Sequence, residues 1–161
     1  MVTRPIKMSD LPAVFDMLIE MHGLSKYAGD VDVDPVAAKA LLMQAAQRHG
    51  GSNNGSTHFM VAEEGGKIVG FMVGALQRLY LIGNRLEAMD LFLYAKKTAS
   101  AKVAVKLLDS YIEWASSCPK VASIKLSYTN TLGVDGERLG ALYERKGFER
   151  HGAIYEKVTV A

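Results

Sequence analysis

The pattern of hydrophobic and polar positions is most informative between residues 86 and 117. Leu86–Ala95 is an almost unbroken apolar run of strand length, which is typical of a central strand covered on both faces. Apolar residues then recur at helical spacing from Ala104 to Ala115, with charged residues between them. The segment KKTASAK lies between the two patterns. This stretch therefore predicts a strand, a short basic turn and a helix.

A basic turn that opens a helix has two interpretations. The first N–H groups of a helix lack intrahelical partners and lie at the positive end of the helix dipole, so such a turn can bind phosphate groups. An ordinary strand-to-helix connection with solvated lysines gives the same pattern. The residues alone leave both interpretations open.

The N-terminal third predicts one strand and two helices. Val2–Lys7 is a candidate strand. Ser9 stands where an N-cap belongs, ahead of apolar residues at helical spacing that end at Gly23. Asp34-Pro35 is a second capping pair and opens a helix that ends at Gly50.

Short strands dominate the remainder of the chain. A tight Glu64-Gly65-Gly66 turn joins two of them as a hairpin, and Gly70 and Gly74 indicate a bend or a close backbone approach. The predicted strands are His58–Glu63, Lys67–Gln77, Val121–Ser127 and Ala153–Val160, with a short helix over Glu137–Lys146.

The predicted order of elements is β-α-α-β-β-β-α-β-α-β. Hairpin-linked middle strands are antiparallel, whereas strands separated by a helix require some parallel pairing. We therefore predict an α/β (α+β) fold in a single domain over residues 1–161, with a mixed sheet and helices on both faces.

Composition narrows the possible partners. A formal charge of +2 gives no overall attraction to nucleic acid or to an acidic membrane. One cysteine, Cys118, excludes an internal disulfide and a cysteine-rich metal site, so we expect no bound metal. The first residues contain no apolar signal core, and no run is long enough to cross a membrane, so we expect a cytoplasmic protein.

Several motifs resemble the GNAT superfamily of N-acetyltransferases. They are ALYERKGF at Ala141–Phe148, DLFLY at Asp90–Tyr94, FMVAEE at Phe59–Glu64 with IVGF at Ile68–Phe71, and EWA at Glu113–Ala115. The resemblance covers nearly the whole chain and is nearest to small bacterial and phage members. It implies a mostly antiparallel sheet of six to seven strands whose central parallel pair splays apart. It also implies a homodimer formed through a sheet edge or the last strand, Ala153–Val160.

The resemblance implies that acetyl-CoA binds between Leu86–Ala95 and Val121–Ser127, with its pyrophosphate on the basic turn. That turn departs from the family motif, since Ala99 stands in the Gln/Arg position and Lys102 in a glycine position. The implied cofactor-binding residues are Leu93, Tyr94, Ala95, Lys96, Lys97, Ser100, Ala101, Lys102, Val103 and Ala104.

The resemblance also implies catalytic roles. Tyr143 matches the general acid that protonates the departing thiolate, although a half-buried aromatic beside Phe148 fits the same position. Asp90 and Glu87 on the central strand are candidate bases, and Asp90 is equally compatible with a hydrogen-bonded strand carboxylate.

The implied activity is transfer of an acetyl group from acetyl-CoA to a primary amine of a small molecule or a protein. The alternative is a binding or assembly module that has lost this activity, which the altered turn favours. The acidic residues Asp30, Asp32 and Asp34 either attract a cationic amine or form a solvated loop.

Overall fold

The computed structural model describes residues 1–160, apart from the side chain of Asn130. The strands are β1 (Val2–Pro5), β2 (Thr57–Glu64), β3 (Lys67–Arg78), β4 (Leu86–Ala95) and β5 (Val121–Lys125). The α-helices are α1 (Leu11–Gly23), α2 (Pro35–Gln47), α3 (Lys102–Ser117) and α4 (Gly136–Arg145).

The strands form one sheet in the order β1-β2-β3-β4-β5. Pairings from β1 to β4 are antiparallel, and β4 pairs with β5 in parallel. The direction of each pairing follows from the connections, because a short turn joins β2 to β3 whereas α3 carries the chain from β4 to β5. The predicted mixed, mostly antiparallel sheet is confirmed.

The central parallel pair separates partway along its length. Its ladder ends where Met89 pairs with Lys125, whereas β4 continues to Ala95 beside β3 alone. Beyond Met89, one edge of β4 is therefore open. The expected splay is confirmed, but β5 ends before the predicted Ser127, because the Ser127 amide donates to the Asp90 carboxylate.

The predicted number of strands is corrected by the structure. In the described part of the chain the sheet has five strands rather than six to seven, and Ala153–Val160 adopts no regular structure. Gly147 and Gly152 take positive φ angles and redirect the chain after α4. The side chains of Ile154 and Tyr155 remain exposed, so the segment lacks the buried face that stabilises a strand.

Helices cover both faces of the sheet, as predicted. The amphipathic helix α3 buries Leu107 and Tyr111 in one core, and α1 and α2 form a second core with Phe59 and Phe71 on the other face. Burial of each such side chain is worth about 1.5–3 kcal/mol relative to its exposure. Within residues 1–160, no helix has the length and apolar character needed to cross a membrane.

Two glycines of β3 fix how closely α3 approaches the sheet. A Cβ atom at Gly70 would lie 2.8 Å from Val103 Cγ1, and one at Gly74 would lie 2.5 Å from a ring carbon of Tyr111. The predicted close backbone approach is thus observed. It holds the N-terminus of α3 beside the end of β4.

Carboxylates cap α2 and α4, whereas α3 has Ala101 as its N-cap and lacks a side-chain cap. Asp34 caps α2 by accepting from the amides of Val36 and Ala37 at 2.9 and 3.0 Å, as predicted. Ser9 does not cap α1, because it lies in a 3₁₀ turn and α1 begins at Leu11. Asp10 instead accepts from the Lys7 amide at 2.8 Å.

Candidate active site

A cleft of about 870 Å³ opens where β4 and β5 separate. Its floor is the free part of β4, residues 90–95. Its walls are the end of α1, the connection to α2, residues 127–134 and the inner side of α4. The splay of the two strands therefore creates a concave surface at this edge of the sheet.

Asp90 joins β4 to β5 at the point of separation. Its carboxylate accepts from the Ser127 amide at 3.1 Å to each oxygen and from the Ser127 hydroxyl at 3.1 Å. Burial raises the pKa of Asp90, and the hydrogen bonds from Ser127 oppose that rise. A carboxylate with a raised pKa is a stronger base than one on the surface.

Tyr143 of α4 lies on the other side of Ser127. Its hydroxyl donates to the Ser127 carbonyl at 3.2 Å, and its ring packs against Tyr128 and Phe148. Burial, and the negative charge of Asp90, raise the pKa of Tyr143 to about 12. The phenol is therefore protonated at neutral pH. Ser127 thus brings together two of the three predicted catalytic residues.

The predicted cofactor residues of β4 lie along the floor of the cleft. Leu93, Tyr94 and Ala95 all line it. The Tyr94 ring itself points into the core with α1 and packs 6.3 Å from the Phe71 ring, and burial raises the pKa of Tyr94 to about 12. The Tyr94 hydroxyl is buried, so it is not available in the cleft.

The turn between β4 and α3 holds a carboxylate. The Ser100 amide donates to Glu64 Oε2 at 3.3 Å, which places an anionic oxygen at an amide just ahead of the helix. The Lys96 ammonium lies 3.6 Å from Glu20 Oε2, whereas Lys97 lines the cleft. Of these two lysines, the structure therefore places Lys97 at the cleft and pairs Lys96 with a carboxylate of α1.

The first residues of α3 differ in what they contact. Ala101 is the N-cap, and Lys102 is exposed at the first helical position. Val103 is fully buried against Gly70, whereas Ala104 lines the cleft. Of these four predicted cofactor residues, Ala104 alone lines the cleft.

Solved structures share the overall fold of this chain. A putative acetyltransferase from Agrobacterium tumefaciens is 18% identical, with a TM-score of 0.67 over 99% of this chain and 100% of its own. Glucosamine-6-phosphate N-acetyltransferase from Arabidopsis thaliana is 15% identical, with a TM-score of 0.67 over 98% and 97%. Ribosomal-protein-alanine N-acetyltransferase from Brucella melitensis is 16% identical, with a TM-score of 0.65 over 99% and 100%. The chain has a GNAT acetyltransferase fold.

No protein-family model matches the chain, and no curated protein matches its sequence. The likeness to the acetyltransferase fold therefore lies in the three-dimensional structure, where it extends over nearly the whole length of the chain. The GNAT fold expected from the sequence motifs is confirmed.

Glu87 lies outside the cleft of this acetyltransferase fold. Its buried carboxylate accepts from Gln77 Nε2 at 2.7 Å, and Lys125 Nζ lies 2.5 Å from its other oxygen. The ammonium of Lys125 lowers the pKa of Glu87 despite the burial. An ion-paired carboxylate with a lowered pKa is a poor base, so the structure does not bring Glu87 together with Asp90 and Tyr143.

Ser127 and the apolar wall of the cleft were missed by the sequence prediction. Ser127 follows a parallel strand, and the ends of neighbouring parallel strands meet at one edge of a sheet, so its position carried a usable signal. Met21 and Leu132 come from a helix end and a loop whose placement depends on the packing of the whole chain. Among residues 1–160, no group of three or more His, Cys, Asp or Glu side chains is arranged to hold a metal ion.

Proposed function

We propose that this protein is an N-acetyltransferase that moves an acetyl group from acetyl-CoA to a primary amine. The observation that carries the proposal is the meeting of Asp90 and Tyr143 at Ser127, inside the cleft of an acetyltransferase fold. A carboxylate with a raised pKa and a protonated phenol are the base and the acid that amide formation requires.

Two structural features support the fit of acetyl-CoA. The open edge of β4 beyond Met89 offers backbone groups to the amides of a pantetheine arm. The amide of Ser100 already donates a hydrogen bond to an anionic oxygen, that of Glu64, in the way it would donate to a phosphate oxygen. Lys97, which lines the cleft near this turn, adds positive charge.

Bound acetyl-CoA supplies an acetyl group activated as a thioester. Asp90 takes a proton from the attacking amine while the nitrogen bonds to the carbonyl carbon. Tyr143 gives its proton to the sulfur as the carbon–sulfur bond breaks. Proton exchange with solvent then restores the carboxylate and the phenol. The products are an N-acetylated amine and free CoA.

Thermal melting with acetyl-CoA and the release of free CoA in the presence of amines test this proposal together. A ligand at about 100 times its dissociation constant stabilises a protein by about 2.7 kcal/mol, which is roughly 5–10 °C for a chain of this size. Cys118 is buried, so it contributes little background to a thiol assay. No shift in melting at millimolar acetyl-CoA would contradict the proposal, and a shift without CoA release would indicate a binding module.

A further inference from the structure

Apolar side chains form the part of the cleft that lies away from the basic turn. We call this surface the acceptor wall, and its residues are Met21, Leu24, Val31, Leu132, Val134 and Leu139. Leu24, Val31 and Val134 are 46%, 43% and 43% exposed. Apolar surface left open beside a reactive carboxylate is surface that a ligand can remove from water.

Charge is scarce on this side of the cleft. Among the described residues that line the cleft, Asp90 and Lys97 carry the full charges, and Lys97 belongs to the turn after β4. His22 Nε2 is already hydrogen-bonded to the Val31 carbonyl at 2.6 Å. The predicted acidic loop does not supply the missing charge, because Asp34 caps α2 and Asp30 and Asp32 do not line the cleft.

We propose that the acceptor is a primary amine on an apolar body, of the alkylamine or arylalkylamine class. This inference rests on the proposed function. Asp90 is positioned to receive the amine, and the acceptor wall covers the hydrocarbon. The acceptor wall itself offers no charged partner to a second ammonium, a carboxylate or a phosphate on the acceptor, so desolvation of such a group against the wall is unfavourable. Sugars and polyamines are therefore expected to be poor acceptors.

The size of the cleft is compatible with this acceptor. About 870 Å³ lies near the top of the range of ~300–1,000 Å³ that holds a drug-sized ligand, which leaves room for a small amine next to a pantetheine arm. Each buried methylene group should raise kcat/KM by about fourfold, since it contributes about 0.8 kcal/mol. Activity is expected to rise with chain length until the wall is covered.

Three amines with the same number of heavy atoms give the test: n-hexylamine, 5-amino-1-pentanol and 1,5-diaminopentane. They differ only in a terminal methyl, hydroxyl or ammonium group. With acetyl-CoA as donor, we expect kcat/KM for n-hexylamine to exceed that for the diamine by about 100-fold or more, with the alcohol between them. Equal rates, or a faster diamine, would overturn the inference and leave acetyl transfer intact.

Two further outcomes of this experiment would also overturn the inference. Transfer that is faster from hexanoyl-CoA than from acetyl-CoA, with no selectivity among the amines, would assign the wall to the acyl chain and overturn the inference. Failure to acetylate any of the amines, with acetyl-CoA bound as judged by melting, would overturn the proposed function and this inference together.

A matched pair of variants tests whether the acceptor wall determines the selectivity among amines. Val134→Asp adds a carboxylate to the acceptor wall and should shift the ratio of n-hexylamine to 1,5-diaminopentane by at least 10-fold toward the diamine. Val36→Asp makes the same change at a 77% exposed position of α2 outside the cleft and should leave the ratio unchanged. The same ratio in Val134→Asp and in the unmodified protein would contradict the inference, provided that both melt normally.

Discussion

Ser127 contacts both side chains to which we assign proton transfer. Its amide and hydroxyl donate to Asp90, and its carbonyl accepts from Tyr143. The carboxylate of Asp90 thus fixes the end of β5 in addition to its proposed role as a base. Because burial of the charge opposes folding, removal of the charge should lower activity without lowering stability at neutral pH.

Replacement of Asp90 tests this expectation. The ionised form is the base, so kcat/KM should rise with pH through a pKa above the ordinary 3.8. Asp90→Asn should lower kcat/KM by ~10²–10⁴-fold and remove this acidic limb. Burial raises the pKa of Asp90 in the folded state, so the ionised carboxylate destabilises the fold at any pH above that pKa. Asp90→Asn carries no charge and should therefore melt no lower than the unmodified protein at pH 7.

The exposed Asp16→Asn is the control for Asp90→Asn and should keep both rate and pH profile. If kcat/KM of Asp90→Asn still rises with pH over the same range, the pH dependence belongs to another group. A large drop in melting temperature with normal turnover would leave Asp90 a structural role alone.

Tyr143 is expected to contribute less than an ideal general acid. A phenol with a pKa of about 12 is a weaker acid than a thiol, whose pKa is near 8.5 in water, although burial in the same cleft raises both. We therefore expect Tyr143→Phe to lower turnover by ~10²-fold, at the lower end of the usual range. The dissociation constant for acetyl-CoA should hardly change.

Tyr80→Phe removes a hydroxyl from a 78% exposed ring and serves as the control for Tyr143→Phe. Single-turnover rates are the proper measurement, because slow product release would hide a change in chemistry. Full activity in Tyr143→Phe, measured in this way, would exclude the phenol from the mechanism.

At the scale of elements, the turn between β4 and α3 decides how tightly an anion binds. Glu64, at the end of β2, occupies the Ser100 amide and adds negative charge beside it. Glu64→Gln removes that charge and leaves a weaker, neutral acceptor at the amide. We expect acetyl-CoA to bind two- to fivefold more tightly, about 0.4–1 kcal/mol, as measured by calorimetric titration at low salt.

Glu113→Gln makes the same change of charge on an exposed position of α3 and controls for net charge. Equal affinities for Glu64→Gln and Glu113→Gln would mean that the carboxylate of Glu64 does not compete with phosphate. Weaker binding in Glu64→Gln would mean that Glu64 supports the turn rather than obstructing it.

Periodicity predicted most of the elements that form the cleft. The bounds of β4 and the helical stripe of α3 follow from local pattern, because a buried strand and an amphipathic helix each require a particular spacing. The segment Ala153–Val160 has strand-forming residues, but strand formation also requires a partner and a buried face, which local sequence does not encode. The prediction therefore failed where long-range packing decides.

In the candidate site, too, local sequence predicted some residues correctly and long-range packing decided the others. Asp90 and Tyr143 could be found because each lies in a recognisable motif, whereas Glu87 was included only for its place on the same strand. Side chains on opposite faces of a strand contact different neighbours. The neighbour that neutralises Glu87 is Lys125, which comes from β5. The ion pair could not be read from either segment alone.

At the scale of the whole molecule, the two cores lie on opposite faces of the sheet, and the cleft borders both of them. Leu18 and Tyr94 of one core and Tyr143 of the other line the cleft. A homodimer remains a prediction, and the exposed segment after α4 no longer provides the strand edge on which it was based. Gel filtration at high micromolar concentration measures it directly.

A cluster of buried and half-buried aromatic and histidine side chains lies at the end of the sheet opposite the basic turn. His58 stacks on Trp114 at 5.3 Å between ring centroids, and its Nε2 lies 3.0 Å from Ser110 Oγ. His49 lies 5.9 Å away, and Trp114 binds the Gly51 carbonyl at 3.1 Å. Burial, with the nearby His49, lowers the pKa of His58 to about 4, so both rings are neutral in the folded state at pH 7.

This cluster predicts how the fold responds to acid. An unfolded histidine titrates near 6.5, so the stability that depends on neutral His58 is fully present above that pH and is lost as the pH falls toward 4. The loss amounts to roughly 3 kcal/mol, from a difference of about 2.5 pKa units. The lowered pKa values of Asp10 and Glu87 add to the loss in acid, whereas the raised pKa of Asp90 opposes it.

Denaturant unfolding at pH 7.5 and pH 4.5 separates the contribution of His58 from these carboxylates. His58→Gln keeps a polar group for Ser110 but does not titrate, so its free energy of unfolding should fall by roughly 2–3 kcal/mol less between the two pH values. Ser110→Ala is the matched control, since it removes the hydrogen bond, lowers stability at both pH values and keeps the difference between them. Parallel pH profiles for His58→Gln and the unmodified protein would show that His58 takes up its proton as readily in the folded state as in the unfolded state, and acid sensitivity would then rest on other groups.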